Sequence, residues 1–476
     1  MESIINFLNN LLWGQVLIPL LLGVGLYFSL RLHAIQLRRF GHMFSILRQG
    51  RGENRHGISP FQALCTSLAS RVGTGNLAGV AVAIYIGGPG AIFWMWLTAL
   101  LGMATGYAES ALAQLYKTQD SSGTYRGGPA YYIERGLGQR WLGQVFAVLL
   151  ILSFGFVFNA VQANSIAVAM QGAFALDTLW SGLILVCLAG LVIFGGIRTI
   201  AHTAEKLVPL MALLYLGIAL CVLILNLERV PAMFASIFSS AFGLQEAAGG
   251  VTGGLMVALM NGVKRGLFSN EAGMGSAPNA AASAIPVPHH PASQGFIQAL
   301  GVFVDTIVIC TCTALVILLS GVFEPGNGLT GIELTQAALD ATLGGVGKYL
   351  VAIAIFFFAF TSIIGNYMYA ESNLLYLLGG RTLMPVIQGM RALVLAMVLW
   401  GALEKVGIVW DAADASMGLM ALVNLLALLL LSGVVIRLTR DYEQQLKRGQ
   451  QPHLQLQKGD YPGLVDSQIW SEHKPQ

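Results

Sequence analysis

Two glycines one residue apart, followed by an amide, interrupt an apolar run at Val72-Gly73-Thr74-Gly75-Asn76, inside a stretch from about Phe61 to Ile86. Each Gly costs a helix interior roughly 1 kcal/mol relative to Ala, and a bilayer offers no water to a loosened backbone. A break of this kind belongs where it is buried in protein or lines a cavity, with freed carbonyls available to a cation and freed amides to an anion. The half-helix ending near Val72 exposes carbonyls at the negative end of its dipole. The half beginning near Gly75 exposes amides at the positive end, which suits a carboxylate. A zwitterionic amino acid with Na⁺ uses both ends; a sugar or a hydrocarbon needs neither.

Other polar residues stand in apolar surroundings. Thr361 and Ser362 follow an aromatic run, Phe356 to Phe360. They supply hard oxygen ligands of the type alkali cations prefer, or they bond back to their own helix carbonyls. Asn159 and Gln162 fall near the middle of another apolar segment, as amide donors into a central cavity or as interhelical hydrogen bonds. Arg71, Lys264 and Arg265 are costly inside a membrane and count as functional candidates. Arg71 has a structural alternative, an ion pair with Glu109, Asp305 or Glu371.

The sequence contains no His-Glu-x-x-His, no Walker-type loop, no Gly-x-Ser-x-Gly and no Cys/His cluster. ATP-driven transport is therefore not expected. An intramembrane protease using Asp305 or Ser269 with His202 is the enzymatic alternative, and their spacing gives it no support. The expectation is no enzyme and no cofactor. Cys65, Cys187, Cys221, Cys310 and Cys312 all lie in apolar segments without metal-ligand spacing.

The elements that must position these residues are membrane helices. The chain is 55% hydrophobic and 10% charged, with a mean hydropathy of +0.69; soluble domains carry roughly 25% charged residues. Apolar segments of about 20 residues recur along it, the membrane-span pattern. Its 57 glycines suit close helix approach, as in the Gly102-to-Gly106, Gly249-to-Gly253 and Gly262-to-Gly266 spacings. A net charge of +3 with basic residues in loops implies no polyanion partner. The first apolar stretch, about 11–32, lacks a basic n-region (Glu2 is acidic) and reads as a retained helix rather than a signal peptide.

Spans are expected at about 11–32, 58–86, 91–117, 142–171, 179–197, 205–226, 247–285, 293–321, 348–378, 383–403 and 411–436, about eleven in all. Basic residues after the first span (Arg31, Arg38, Arg39, Arg48, Arg51, Arg55, against the lone acid Glu53) place that loop inside and the N-terminus outside. Arg198, His202 and Lys206 mark a further inner loop. Segment 227–246 is amphipathic and surface-lying, and an outer loop contains Glu324, Glu333 and Asp340. The C-terminus is then inside.

Setting aside the first helix (1–33), ten spans divide into five (57–228) and five (246–437), with a cytoplasmic tail at 438–476 showing little sign of a domain. Odd halves must have opposite orientation, and each opens with a Gly-rich, interrupted segment, the sequence pointer to a secondary transporter's binding site. Counting residues to the midplane puts the second break at Asn261-Gly262 through Phe268 and leaves Asn270–Ser276 to an inner gate or helix terminus.

Val72–Ala81, Gly87-Gly88-Pro89-Gly90 through Trp96, Gly127-Gly128-Pro129-Ala130-Tyr131-Tyr132 and Asn270–Pro278 resemble signatures of the alanine/glycine:cation symporters over about residues 10–440. The resemblance implies a LeuT-type inverted-repeat fold, preceded here by one extra helix. It also implies sodium-coupled uptake of alanine, glycine and related small neutral amino acids across the cell (inner or plasma) membrane.

It further implies a Na⁺ site from the Ala69 and Val72 carbonyls with the Thr361 and Ser362 hydroxyls, and amides of Thr74 and Gly75 for the substrate carboxylate. Gly73, Asn76, Gln162, Asn261, Gly262 and Phe268 complete the expected substrate site. Asn76 matches a ligand of a second Na⁺ site in some relatives, but Arg71 stands where those carry a small neutral residue, so one Na⁺ is expected. Asn366 stands where a bulky aromatic is expected. Proton coupling through Glu109, Asp305 or Glu371 is the mechanistic alternative; a channel or sensor is the alternative of another class.

Overall fold

The computed structural model of this chain describes residues 9–50, 57–121, 123–243, 254–324, 328–456 and 459–471. Glu2, Arg51, Glu53, Arg55, the Gly249-to-Gly253 spacing and the start of the expected 247–285 span lie outside the described residues.

The first half runs from α1 (Asn9–Arg31) through α2 (Phe40–Gln49) to an interrupted pair, α3 (Pro60–Arg71) and α4 (Gly75–Gly87). It continues with α5 (Gly90–Leu115), a two-residue antiparallel hairpin (Thr118–Gln119 with Tyr125–Arg126) and α6 (Pro129–Leu137). Next come α7 (Arg140–Phe174), α8 (Thr178–Ile193), α9 (Gly196–Leu225) and α10 (Val230–Ala241).

The second half opens with another interrupted pair, α11 (Gly254–Asn270) and α12 (Pro278–Ser283). It continues with α13 (Pro291–Ser320), α14 (Gly331–Leu343), α15 (Gly347–Leu377), α16 (Met384–Leu403) and α17 (Val406–Leu430). Last come α18 (Ser432–Lys447) and α19 (Ser467–Ser471).

Among the described residues α1, α5, α7, α9, α13, α15, α16 and α17 are long and apolar enough to cross a membrane. Three expected spans are not single long helices. Segments 58–86 and 247–285 are interrupted, and 179–197 is the 16-residue α8. Large apolar side chains such as Leu191, Leu213 and Leu430 point outward from the bundle, as lipid contact requires.

α3 begins where the sequence instructs it to. Ser59 accepts a bond from the Gln62 amide at 3.1 Å, Gln62 Oε1 accepts from the Ser59 amide at 3.0 Å, and Pro60 fills the first helical position. It stops after Arg71, because Val72 leaves the helical region (ψ 89°).

The second break lies elsewhere than the residue count indicated. Asn261, Gly262 and Phe268 sit within the continuous α11, and the helix ends at Asn270. Glu271 (φ 58°), Gly273 (φ 94°) and Gly275 (φ 85°) then turn the chain through left-handed backbone. The glycines that suggested the earlier position serve packing. A Cβ at Gly262 would lie 2.5 Å from the Ala91 carbonyl oxygen, and one at Gly266 3.3 Å from Thr98, so both allow α11 to press on α5.

Two expected loops are also helical. Arg198, His202 and Lys206 ride on the first turns of α9, and the segment holding Glu333 and Asp340 forms α14. The first is a polar helix end and the second a short helix with an acid near each end, and a hydropathy reading assigns both to loops.

Candidate functional site

Gly73 marks the centre. A Cβ built on it would lie 2.2 Å from Ser362 Oγ and 2.7 Å from Gln162 Oε1. α3, α7 and α15 therefore converge on one backbone atom, and only glycine admits the approach. Gly75 is held as closely, its Cβ position being 2.9 Å from the Phe268 ring and 3.2 Å from Ser269 Cα. Loss of both side chains at the break lets the two interrupted elements touch.

The freed amides have partners. Thr74 N–H donates to Gln162 Oε1 at 2.9 Å, and Gly73 N–H donates to Asn76 Oδ1 at 3.0 Å. The carbonyl side is quieter. Ser362 Oγ lies 3.5 Å from the Val72 carbonyl oxygen, at the limit of hydrogen bonding. Ser362 also donates to the Phe358 carbonyl at 3.1 Å, and Thr361 does so at 2.9 Å. Each hydroxyl spends its proton on its own helix. Its lone pairs stay available, so the back-bonded arrangement and a cation-ligand role are compatible. Ala69, one turn before Val72, is fully buried.

The second break faces the first across a polar seam. Ser70 Oγ donates to Glu271 Oε1 at 2.7 Å and lies 2.6 Å from Asn366 Oδ1. Ser276 Oγ donates to Glu271 Oε2 at 2.5 Å. Asn76 Nδ2 donates to Asp305 Oδ1 at 2.8 Å and to Ser269 Oγ at 3.1 Å, while Ser269 donates to Asp305 Oδ2 at 2.5 Å. Asp305 sits in a π-helical stretch of α13, Phe303–Cys310; comparable stretches start α4 (Gly75–Gly79) and pass through α7 (Ile151–Phe158). Such wide turns re-aim side chains and cluster at functional sites. Here they bracket the break.

An aromatic stack covers the Gly75 side. Phe268 lies 4.6 Å from Phe158 and 4.8 Å from Trp410, centroid to centroid. Above it Arg265 passes 4.6 Å from the Trp410 ring and pairs with Asp414, at 2.7 and 2.5 Å to its two oxygens. Lys264 adds a longer contact to the same carboxylate, 3.7 Å.

Of the expected site residues, Val72, Gly73, Thr74, Gly75, Gln162, Ser362 and Phe268 come together, with Thr361 and Ala69 a step away. Asn76 turns its amide to Asp305. Asn261 and Gly262 do not join the group: Asn261 Nδ2 bonds back to the Val257 carbonyl and Gly262 faces α5. The Arg71 guanidinium donates to the Gln298 carbonyl at 3.3 Å, and its Nε and Nη2 have no hydrogen-bond partner among the described residues. Glu371 is not its counter-ion, being engaged by Tyr367, Arg126 and Arg391. His202 is exposed beside Glu205, on a different element from Ser269 and Asp305. Ser70 and the Asp305–Ser269 contact escaped the sequence reading, and Glu271 entered it only within the 270–276 run assigned to an inner gate or helix terminus, where α11 does end. Their signal was a polar group in an apolar segment, which marks a position but not its partner.

The family model described as "Sodium:alanine symporter family" matches residues 1–456. The chain is 50% identical to the "Probable sodium/glutamine symporter GlnT" of Bacillus subtilis, over 95% of this chain and 93% of that protein. It is 42% identical to the "Sodium/alanine symporter AgcS" of Methanococcus maripaludis, over 93% and 97% respectively. Its backbone is similar to a crystal structure of a manganese transporter from Eremococcus coleocola (TM-score 0.53, 16% identity, 80% of this chain and 77% of that one), a likeness of fold alone.

Proposed function

The chain belongs to the sodium:alanine symporter family, a multi-pass transporter of the cell membrane with a LeuT-type fold, and we propose that it couples Na⁺ entry to uptake of a neutral amino acid by alternating access. The observation that carries this reading is the meeting at Gly73 of a helix C-terminus, the back-bonded Ser362 hydroxyl and a side-chain carbonyl seated on a freed amide. Gln162 Oε1 takes the bond from Thr74 N–H that a substrate carboxylate oxygen would take. When the carboxylate arrives, Gln162 gives up that bond and its Nε2 becomes a donor to the same oxygen. Gly75 N–H is the second donor expected for the carboxylate.

One Na⁺ binds at the other end of the break, held by the Ala69 and Val72 carbonyls and the Thr361 and Ser362 hydroxyls. Cation and carboxylate are then stabilised by opposite helix ends, so each favours the other's binding. Alanine is the substrate the family description names, and glycine is the smaller amino acid the same break would admit; the relatives' printed names differ between alanine and glutamine, which leaves the side-chain pocket to decide among neutral amino acids.

The test is radiolabelled alanine uptake into proteoliposomes with and without an inward Na⁺ gradient. Thr361→Ala should raise the Na⁺ concentration for half-maximal uptake by about tenfold or more, the scale of one lost ligand of roughly 1.4 kcal/mol. An unaltered sodium response would remove Thr361 from the ion site. A second reading, proton coupling, is favoured by one observation: Glu109, Glu271 and Asp305 are all buried in the region of Arg71. Uptake driven by a pH jump at fixed Na⁺ would select it.

A further inference from the structure

One helical turn from the Gly73 centre, on the side toward Ser59, two amides face each other. Asn159 precedes Gln162 by three residues on α7, and Asn366 follows Ser362 by four on α15. Residues at these offsets share a helix face. Asn366 Nδ2 donates to Asn159 Oδ1 at 3.0 Å. Asn159 Nδ2 is held by the Gly155 carbonyl at 3.1 Å, and Asn366 Oδ1 lies 2.6 Å from Ser70 Oγ. Both side chains are fully buried. The Gly155 carbonyl fixes Asn159 with its acceptor toward Asn366, and Asn366 answers that acceptor with a donor; each is the other's partner at this position.

We propose that the Asn159–Asn366 pair is the side-chain subsite of the amino-acid site and selects substrates that carry a carboxamide, glutamine foremost. The proposal rests on the reading of this site as an amino-acid site. With the substrate carboxylate on the amides at 74 and 75, its side chain must leave the break along α7 and α15. At 1.5 Å per residue the pair lies roughly 4.5–6 Å from the Gln162–Ser362 level. Glutamine's side chain spans about 4 Å from Cα to its amide carbon, at roughly 1.5 Å per carbon–carbon bond.

A carboxamide carries an acceptor and a donor side by side, so it inserts into the Asn366-to-Asn159 bond and replaces it with two. Asn366 Nδ2 donates to the substrate carbonyl, and the substrate NH₂ donates to Asn159 Oδ1. Each competitor fails for a stated reason. Glutamate has the shape but only acceptors, and meets Asn159 Oδ1 with an oxygen. Methionine has the length but neither group, and its entry leaves Asn366 Nδ2 and Asn159 Oδ1 unpaired, a loss sites built on hydrogen bonds enforce strongly. Alanine and glycine stop short of the pair and leave it closed, so they enter without the added contacts. Asparagine, one methylene shorter, reaches only partway.

The experiment is competition against Na⁺-driven radiolabelled alanine uptake in proteoliposomes of the full chain. The competitors are glutamine, asparagine, glutamate and methionine. Glutamine should compete at least tenfold better than methionine or glutamate, with asparagine between. Asn366→Leu should lower the glutamine-to-methionine ratio at least tenfold, and Asn366→Ser should lower it less. If a variant is inactive in uptake, the same ratio is read from thermal stabilisation of the purified protein by each amino acid. Equal competition by glutamine and methionine in the wild type overturns the proposal, as does a ratio unmoved in Asn366→Leu. Absence of uptake of both alanine and glutamine under a Na⁺ gradient overturns the amino-acid reading instead.

Discussion

Gly73 shows how much a single residue type discloses. A glycine in a membrane helix is most simply a packing residue, and Gly262 and Gly266 are of that kind. Gly73 and Gly75 differ because an amide follows them and because they are one residue apart, which no helix-packing spacing requires. The break they make was therefore legible in the sequence, as was the presence of two adjacent hydroxyls at Thr361 and Ser362. Which groups would answer them was not. Asn76 bonds Asp305 and Ser269, residues 229 and 193 positions away, and nothing in a single sequence ties such positions together. Gly73→Ala tests the centre directly. Its methyl would overlap Ser362 Oγ, 2.2 Å from the Cβ position, and overpacking costs typically about 1–3 kcal/mol. The expected outcome is at least a tenfold loss of alanine kcat/KM with the protein still purified in folded, monodisperse form. Uptake within twofold of wild type would mean that Gly73 is merely a packing glycine.

At the scale of elements, periodicity and hydropathy located most helices, since burial in lipid or in protein both demand apolar runs. They misplaced the second break because it is made by backbone, not by a loss of hydrophobicity. Glu271, Gly273 and Gly275 turn the chain with positive φ, whereas the expected position at 261–268 was chosen by counting to the midplane. The same count left Lys264 and Arg265 as charges without partners. Asp414 on α17 supplies one, and ties α11 to α17 over the aromatic stack on Gly75. Removing one member of a buried pair leaves an uncompensated charge and costs roughly 3–5 kcal/mol, while apolar replacement of both is often close to neutral. Asp414→Asn should accordingly lower the Tm of the purified protein clearly. Combining Asp414→Leu with Arg265→Met and Lys264→Met, so that no member of the cluster is left unpaired, should recover most of that loss. A combined variant as unstable as the single one would show that the contact matters for packing alone.

For the molecule as a whole, the sequence made the polar C-terminus look like an appendage, since no hydropathy signal distinguishes a docked tail from a free one. The tail is docked. Leu454 N–H bonds the His289 carbonyl at 3.0 Å, Leu464 exchanges bonds with Arg135 on α6, and Tyr116 OH donates to the Pro462 carbonyl at 2.8 Å. Trp470, 2% exposed, packs 5.3 Å from the Lys117 ammonium. Lys117, just beyond the end of α5, is sealed in by this arrangement; its ammonium donates to Gln114 Oε1 and the Ala284 carbonyl. Burial lowers its pKa from 10.5 to about 7. The unfolded chain therefore binds one more proton than the folded one between about pH 7 and 10.5, and stability rises with pH across that window by up to about 1.4 kcal/mol per unit. Below about pH 7 the group is protonated in both states and contributes no slope. The Tm of the purified protein should thus climb between pH 7 and 9, with Lys117→Met flattening that rise. Deleting residues 451–476 should flatten it as well, because uncovering the ammonium returns its pKa toward 10.5. A truncated protein that keeps the full pH slope would mean that Lys117 is buried by the helices around it and owes nothing to the tail.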